Sequence, residues 1–200
     1  GGGGVDNGLP SGYTRLKYIE TQGSQYINTN FVANSNTRVT MDFEFTDLGW
    51  HQALFCARQG LQQNSFSCFY IKDTNSFRAD YNSSRNHVTS VDVAVGQRYS
   101  VDFNKNSFVV NDSSISITSS SFTANTMLLF ASYTNNSPTG PFDNYAHVRL
   151  YSCLIYDNGS LVRNYIPCKS STGEIGLYDT VSKTFSPSAT THAFIAGPEV

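Results

Sequence analysis

The strict alternation of apolar and polar residues between Thr37 and Phe45 constrains this chain more than any other feature. The apolar members, which fall on one face of an extended chain, are Val39, Met41, Phe43 and Phe45. The residues between them, Arg38, Thr40, Asp42 and Glu44, fall on the opposite face. A period of two sustained over this length predicts a β-strand with one buried face and one solvated face.

Further short runs rich in aromatic and β-branched residues follow, separated by clusters of Asn, Ser, Asp and Gly. These predicted strands are Gln52–Arg58, Ser65–Lys72, Ser76–Tyr81, Arg98–Phe103, Ser107–Val110, Met127–Tyr133, His147–Tyr156, Leu161–Pro167 and Gly176–Asp179, with an edge strand within 113–121. No window has a sustained helical period, so we expect almost no helix. The pattern predicts an all-β fold, a two-sheet antiparallel β-sandwich.

The sequence Tyr156-Asp-Asn-Gly-Ser-Leu161 carries the clearest turn signal. Asn-Gly at the centre of a two-residue hairpin loop favours a type I′ turn, in which both residues have positive φ. With Asp157 opposite Ser160, a regular register would place Cys153 opposite Asn164.

The ends of the chain differ in character. Residues 1–12 are Gly-rich and are interpreted as a linker, and residues 13–200 as a single sandwich domain. The first residue is not Met and no signal peptide is visible, so we expect a processed product or an excised module.

Charge is sparse, with a net charge of −2 and only 14% charged residues. No Lys/Arg patch is present to neutralise phosphates, so we expect no nucleic-acid partner. No apolar run reaches the roughly 20 residues needed to cross a bilayer, so we expect no membrane span. A surface rich in hydroxyl and amide groups suits an extracellular, cell-surface or virion location.

The four cysteines, Cys56, Cys68, Cys153 and Cys168, and the four scattered histidines lack the spacing of a zinc site. A symmetric hairpin centred near Gln62 would place Cys56 opposite Cys68. Free buried thiols are the favoured state of this pair, and a cross-strand disulfide is the alternative.

Several motifs at the two ends of the chain resemble one known family. They are RLYSCLIYDNG (149–159), LVRNYIPC (161–168), GEIGLYD (173–179) and FIAGP (194–198), with LPSGYTRLKYIE (9–20) and GSQYINT (23–29) near the start. As a set they are similar to laminin-G-like modules of bacterial surface and phage tail proteins, within the concanavalin A-like lectin/glucanase superfamily. The resemblance implies a jelly-roll sandwich and, by analogy, glycan binding.

Glycosidases also occur on concanavalin A-like folds, so catalysis needs a separate test. Such enzymes require two suitably spaced carboxyl groups. Only four Glu are present, none of them in the Glu-x-Asp-x-x-Glu pattern of these enzymes, and Asp42 with Glu44 is the one close pair on a strand. We interpret that pair as part of a solvated sheet face and expect no enzymatic activity.

Sugar recognition needs an aromatic face with hydrogen-bonding groups beside it. Predicted loops supply such residues, although packing over the sandwich edge is an alternative role for each. The predicted ligand-binding residues are Trp50, Tyr133, Asn135, Phe142, Asn144 and Tyr145, with Arg78 or Arg85 as a hydrogen-bond donor. We therefore expect a non-catalytic module that binds a glycan or polysaccharide. The alternative is a structural or adhesion module that contacts a host or bacterial surface protein.

The predicted function needs no cofactor. Related laminin-G and pentraxin folds bind calcium, so the resemblance leaves calcium as an alternative, with Asp143 and Asn144 as oxygen donors, although no dense Asp loop is present.

Overall fold

The computed structural model describes residues 8–134 and 139–200, so part of the predicted linker, residues 1–7, lies outside the described residues. The strands are β1 (Thr14–Arg15), β2 (Ile19–Glu20), β3 (Ile27–Asn34), β4 (Thr37–Phe45), β5 (Gln52–Ala57), β6 (Ser65–Ile71), β7 (Ser76–Asn82), β8 (Ser84–Val88), β9 (Arg98–Phe103), β10 (Ser107–Val110), β11 (Ser113–Ser116), β12 (Thr123–Leu129), β13 (Ser132–Tyr133), β14 (Phe142–Asp143), β15 (Val148–Asp157), β16 (Ser160–Lys169), β17 (Ile175–Asp179), β18 (Thr184–Pro187) and β19 (Ile195–Ala196). A short 3₁₀ turn, Lys72–Thr74, joins β6 to β7. Over the described ranges, no helix has the length and apolar character needed to cross a membrane.

Two antiparallel sheets form the sandwich. The larger sheet has the order β11-β10-β9-β4-β15-β16-β17-β18, with β1, β2 and β19 paired at its side. The smaller sheet has the order β3-β12-β5-β6-β7-β8, and β13 and β14 form a separate two-stranded sheet. The all-β, two-sheet sandwich predicted from the strand pattern is confirmed.

The core between the sheets is dominated by aromatic side chains. Phe103 of the larger sheet stacks on Phe66 of the smaller one, with ring centroids 4.2 Å apart. Phe45 and Phe77 make a second contact between the sheets at 5.9 Å. The apolar face of β4 points into this core, as its alternation predicts.

The hairpin between β15 and β16 confirms the turn and corrects the register beyond it. Asn158 and Gly159 have φ of 48° and 84°. A bulge after the Tyr156–Leu161 pair then moves the register by one residue, so Cys153 lies opposite Tyr165 instead of Asn164. Tyr165 therefore faces the core.

All four cysteines are buried and free. The turn between β5 and β6 is centred between Leu61 and Gln62, because Gly60 pairs with Gln63. Cys56 therefore lies opposite Ser67, and Cys68 opposite Phe55. The two thiols belong to different apolar clusters, so the favoured free state is confirmed and the disulfide alternative is excluded.

Candidate functional site

The outer face of the smaller sheet carries a second apolar cluster, which gives the site a rigid base. Its fully buried members are Ala53, Cys56, Phe69, Leu128, Ala131 and Tyr133. They face away from the main core because side chains alternate along each strand. The half-buried rings of Tyr26, Phe142 and Tyr145 pack over this cluster. The chain around β13 and β14 is therefore held against the sheet by apolar contacts.

Backbone and amide contacts fix the same segment. The backbone N–H of Ala53 donates to the carbonyl of Asn144 at 2.8 Å. The side-chain Nδ2 of Asn144 donates to Ser132 Oγ at 2.9 Å. Asn144 itself has a φ of 50°, a left-handed conformation that Asn adopts more readily than most residues. These contacts set the position of the neighbouring Tyr145.

Trp50 lies beside this segment and stacks on His147. The two rings are 4.6 Å apart at an interplanar angle of 11°. The indole remains 53% exposed, so one of its sides faces solvent. Burial lowers the pKa of His147, while the charge of Asp47 acts in the opposite direction. The imidazole is therefore neutral at pH 7. We name the stacked rings of Trp50 and His147 the Trp50–His147 platform.

Gln52, on β5 of the smaller sheet, forms hydrogen bonds to the segments that follow β4 and precede β15 of the larger sheet. Its Nε2 donates to the carbonyl of Asp47 at 2.7 Å, and its Oε1 accepts from the backbone N–H of His147 at 2.7 Å. Gly23 leaves room for the imidazole, since a Cβ at this position would lie 2.5 Å from His147 Nε2. The two hydrogen bonds of Gln52 and the close approach of Gly23 to the imidazole restrict the movement of the platform.

The platform borders a cleft with a volume of about 560 Å³. The residues that line this cleft are Gln22, Gly23, Gly49, Trp50, His51, Lys72, Asp73, Asp143, Asn144, Tyr145 and His147. A cleft of this size lies in the range of about 300–1,000 Å³ that is usual for small-molecule sites. Its wall combines aromatic faces with amide, carboxylate and ammonium groups.

A second cavity of about 330 Å³ adjoins the cleft and shares His51, Asp73 and Asn144 with it. His51 Nδ1 accepts from the backbone N–H of Lys72 at 3.0 Å, which places the imidazole between the two spaces. The second cavity is lined by three arginines and one aromatic residue, Arg58, Arg78, Arg85 and Phe69.

The structure brings most of the predicted site residues together, in two groups. Trp50, Asn144 and Tyr145 line the cleft, while Arg78 and Arg85 line the adjoining cavity. Phe142 packs beneath the cleft against Tyr26 and Tyr133. Asn135 lies outside the described residues.

Tyr133 lies beneath the surface. It is only 2% exposed, and its hydroxyl donates to the carbonyl of Thr126. Its ring packs on Phe142, so in this structure it supports the site from below and has no surface for a ligand.

Several lining residues were not predicted, chiefly His147, Lys72, Asp73 and Arg58. His147 and Trp50 belong to segments far apart in the chain, so no local pattern could pair them. Lys72 was predicted as the last residue of a strand, whereas the strand ends at Ile71 and both Lys72 and Asp73 lie in a 3₁₀ turn. Asn75 was the available sequence signal for a turn at this point, because Asn is a common turn residue. In the structure it ends the 3₁₀ turn with a φ of 45°.

The carboxyl pair considered for catalysis is occupied by ion pairs on the larger sheet. Both oxygens of Asp42 accept from Arg98, at 2.9 and 2.7 Å. Glu44 accepts from the Tyr151 hydroxyl at 2.6 Å and lies 3.5 Å from Arg149. This pair is therefore a structural element of the sheet face.

The described residues contain no group of three or more His, Cys, Asp or Glu side chains placed to hold a metal. Asp143, named with Asn144 as a candidate calcium ligand, uses Oδ1 to accept from the backbone N–H of Asn144 at 2.7 Å. The two residues thus form a local turn contact at the cleft wall.

No protein-family model matches the chain, and no curated protein matches it. Solved structures do match. One is domains LG4-5 of the mouse laminin alpha1 chain, with a TM-score of 0.51 and 12% identity over 92% of this chain and 47% of that chain. This chain thus spans about half the length of that laminin fragment. The likeness shows the fold, and it confirms the laminin-G-like, concanavalin A-like sandwich implied by the sequence motifs.

Two further matches are more distant. The Trypanosoma rangeli sialidase in complex with sialic acid has a TM-score of 0.46 and 10% identity, over 72% of this chain and 27% of that chain. The Ruminococcus gnavus IT-sialidase CBM40 has a TM-score of 0.45 and 10% identity, over 72% of this chain and 90% of that chain.

Proposed function

We propose that this chain is a non-catalytic carbohydrate-binding module and that its cleft holds a sugar ring against Trp50. The observation that carries this proposal is the Trp50–His147 platform, a fixed and half-exposed indole at the wall of a cleft of about 560 Å³. The apolar side of a pyranose packs on an indole, and its hydroxyl groups require hydrogen-bond partners at the rim.

The rim offers such partners in several chemical forms. Asn144 has an amide oxygen that makes no hydrogen bond to the described residues, Lys72 has an ammonium group, and Asp73 has a carboxylate that is 81% exposed. Tyr145 adds a phenol. A wall of mixed donors and acceptors suits a polyhydroxylated ligand better than a purely apolar one.

We propose that the carboxylates of the cleft accept hydrogen bonds from sugar hydroxyl groups and do not act in catalysis. Asp73 and Asp143 both line the cleft and both are exposed. The close pair on β4 lies on the other sheet and is held in ion pairs. A glycosidase would need two carboxyl groups facing each other across the scissile bond.

The proposed setting is extracellular, on a cell surface or a virion, with a glycan or polysaccharide as the partner. An open site of this kind buries little of its ligand, so we expect affinity on the order of micromolar to millimolar. Display of several copies by a larger assembly would raise the avidity.

A glycan array tests the proposal, followed by calorimetry with a bound glycan. Trp50→Ala should abolish binding and lower the free energy of unfolding by only about 0.5–1.5 kcal/mol, from loss of the stack on His147. Leu161→Ala is the matched control, because Leu161 is an exposed apolar residue near the far end of β15, about 30 Å from His147. Absence of binding across a broad array at high protein density would contradict the proposal and favour an adhesion module that contacts protein.

A further inference from the structure

Three arginines converge on the outer face of the smaller sheet, in the cavity that adjoins the cleft. Strand register places Arg78 of β7 opposite Phe69 of β6, and Arg85 of β8 opposite Asp80 of β7. Arg58 follows directly after β5. Residues directly opposite each other on paired strands have Cβ atoms about 4.5–5.5 Å apart, so the sheet itself assembles this cluster.

Aromatic and hydrogen-bond contacts hold two of the guanidinium groups rigidly. The Cζ atoms of Arg58 and Arg78 lie 5.2 and 4.9 Å from the centre of the Phe69 ring. Arg58 also donates to the carbonyl of Tyr133 through Nε and Nη2, at 3.0 and 2.6 Å. Neither side chain has freedom to swing away from the cavity.

Asp80 is the only carboxylate placed within the arginine cluster among the described residues. Arg78 donates to Asp80 through Nε at 2.7 Å and through Nη2 at 3.0 Å, and Arg85 Nε lies 3.9 Å from the same carboxylate. One carboxylate cannot neutralise three guanidinium groups. The exposed Asp73, which also lines the cavity, is next to His51 with 3.6 Å between Oδ2 and Nε2.

The pKa of Arg85 agrees with an excess of positive charge in the cluster. The pKa of Arg85 is lowered, first by burial and then by the charge of Arg78. Burial also raises the pKa of Asp80, against the influence of Arg78 and Arg85. The repulsion between Arg78 and Arg85 indicates that an additional anion beside them would be stabilised, whereas the shift of Asp80 reflects its own burial.

Donor groups for such an anion are already present. Within the described part of the chain, Nη1 of Arg58, Arg78 and Arg85 makes no hydrogen bond. The cavity of about 330 Å³ has room for a carboxylate or sulfate group. Since it shares Asn144 and His51 with the cleft, a sugar on the Trp50–His147 platform could place a substituent there.

We propose that the arginine cluster is a subsite for an acidic group of the glycan, the carboxylate of a uronic acid or a sulfate ester. The inference rests on the proposed function and adds to it the class of ligand, an acidic instead of a neutral polysaccharide. Planar guanidinium groups form paired, charge-assisted hydrogen bonds with such oxyanions, and these bonds are stronger than those to neutral hydroxyl groups.

An NMR titration of the full chain tests both proposals at once. The indole N–H of Trp50 reports on the cleft, and the Nε–H groups of Arg78 and Arg85 report on the subsite. The ligands are D-glucuronate, D-glucose 6-sulfate and neutral D-glucose. We expect the two anionic sugars to shift the arginine and indole resonances in a saturable manner, and D-glucose to shift only the indole, more weakly.

Arg85→Met should weaken glucuronate binding by about 10-fold and leave glucose binding unchanged. Arg38→Met is the matched control, because Arg38 is an exposed arginine paired with Asp102 on the larger sheet. If glucuronate moves the indole resonance but no arginine resonance, the subsite is refuted and the proposed function stands. If the arginine resonances respond while the indole responds to no sugar, the assignment of the cluster to a glycan is refuted together with the proposed function.

Discussion

Substitution of Gly23 by Ala perturbs the Trp50–His147 platform from beneath. Gly23 has a φ of 83°, and the added Cβ would lie 2.5 Å from His147 Nε2 and 2.7 Å from its Cε1. Ordinary contacts between such atoms are about 3.5–4.0 Å, so the imidazole must move by roughly 1 Å. Because the ring stacks on Trp50, the indole loses its partner.

The energy follows from two contributions. A left-handed conformation costs an L-residue about 1–2 kcal/mol. This cost is offset by about 0.4–1 kcal/mol, because Ala reduces the conformational entropy of the unfolded chain. Loss of the ring contact adds about 0.5–1.5 kcal/mol. We expect Gly23→Ala to lower the free energy of unfolding by about 2 kcal/mol, which corresponds to a Tm lower by about 4–8 °C for a domain of this size.

Gly159→Ala is the matched control. Gly159 has a φ of 84°, and an added Cβ would meet nothing within 4 Å, so it reports the backbone cost alone, about 1 kcal/mol. Urea unfolding measures the free energies, and native fluorescence measures the platform, because Trp50 is the only tryptophan. Gly23→Ala should change the emission spectrum and Gly159→Ala should not. Equal effects of the two variants on both measurements would show that Gly23 does not support the Trp50–His147 platform.

Three further predictions concern protonation, thiols and metal. Because the folded-state pKa of His147 is lowered from 6.5, its neutral ring contributes fully to stability above pH 6.5, and this contribution declines as the pH falls from 6.5 toward the folded-state pKa. As the pH falls through that window, the free energy of unfolding of the wild type should therefore decrease relative to that of His147→Phe. A difference between the two proteins that does not depend on pH would contradict the lowered pKa of His147. Burial raises the pKa of all four thiols, so a thiol reagent should titrate none rapidly in the native protein and four after denaturation. Sugar binding should persist in EDTA, whereas loss of binding that calcium restores would assign a metal to Asp143 and Asn144.

The sequence predicted those parts of the fold that depend on local pattern. The alternation from Thr37 to Phe45 and the Asn158-Gly159 turn both correspond to the observed structure. The bulge that follows the turn has no signature in the alternation of the two strands, so the register beyond it was wrong by one residue. Strands β3 and β8 were missed. In β3 the buried positions include Thr29 and the exposed ones include Val32, which obscures the alternation. In β8 the residues are mostly polar and exposed, as suits the edge of a sheet.

The site was predictable in composition but not in arrangement. Trp50, Asn144 and Tyr145 were predicted as aromatic and amide residues in loops, and the structure brings them to one cleft. Their partner His147 could not be found from sequence, because the contact depends on how the two loops meet. Arg85 was predicted in a loop, yet strand pairing places it opposite Asp80 in the cavity beside the cleft.

The central claim is that a glycan binds on the exposed face of Trp50. The most direct measurement is the indole ¹H–¹⁵N resonance of this single tryptophan, followed while a glycan selected on the array is titrated into the ¹⁵N-labelled chain. Binding on Trp50 should give a saturable shift of that resonance, with the same dissociation constant that calorimetry gives for the wild type. Saturable binding in calorimetry with an unmoved indole resonance would place the ligand elsewhere and contradict the proposed role of Trp50.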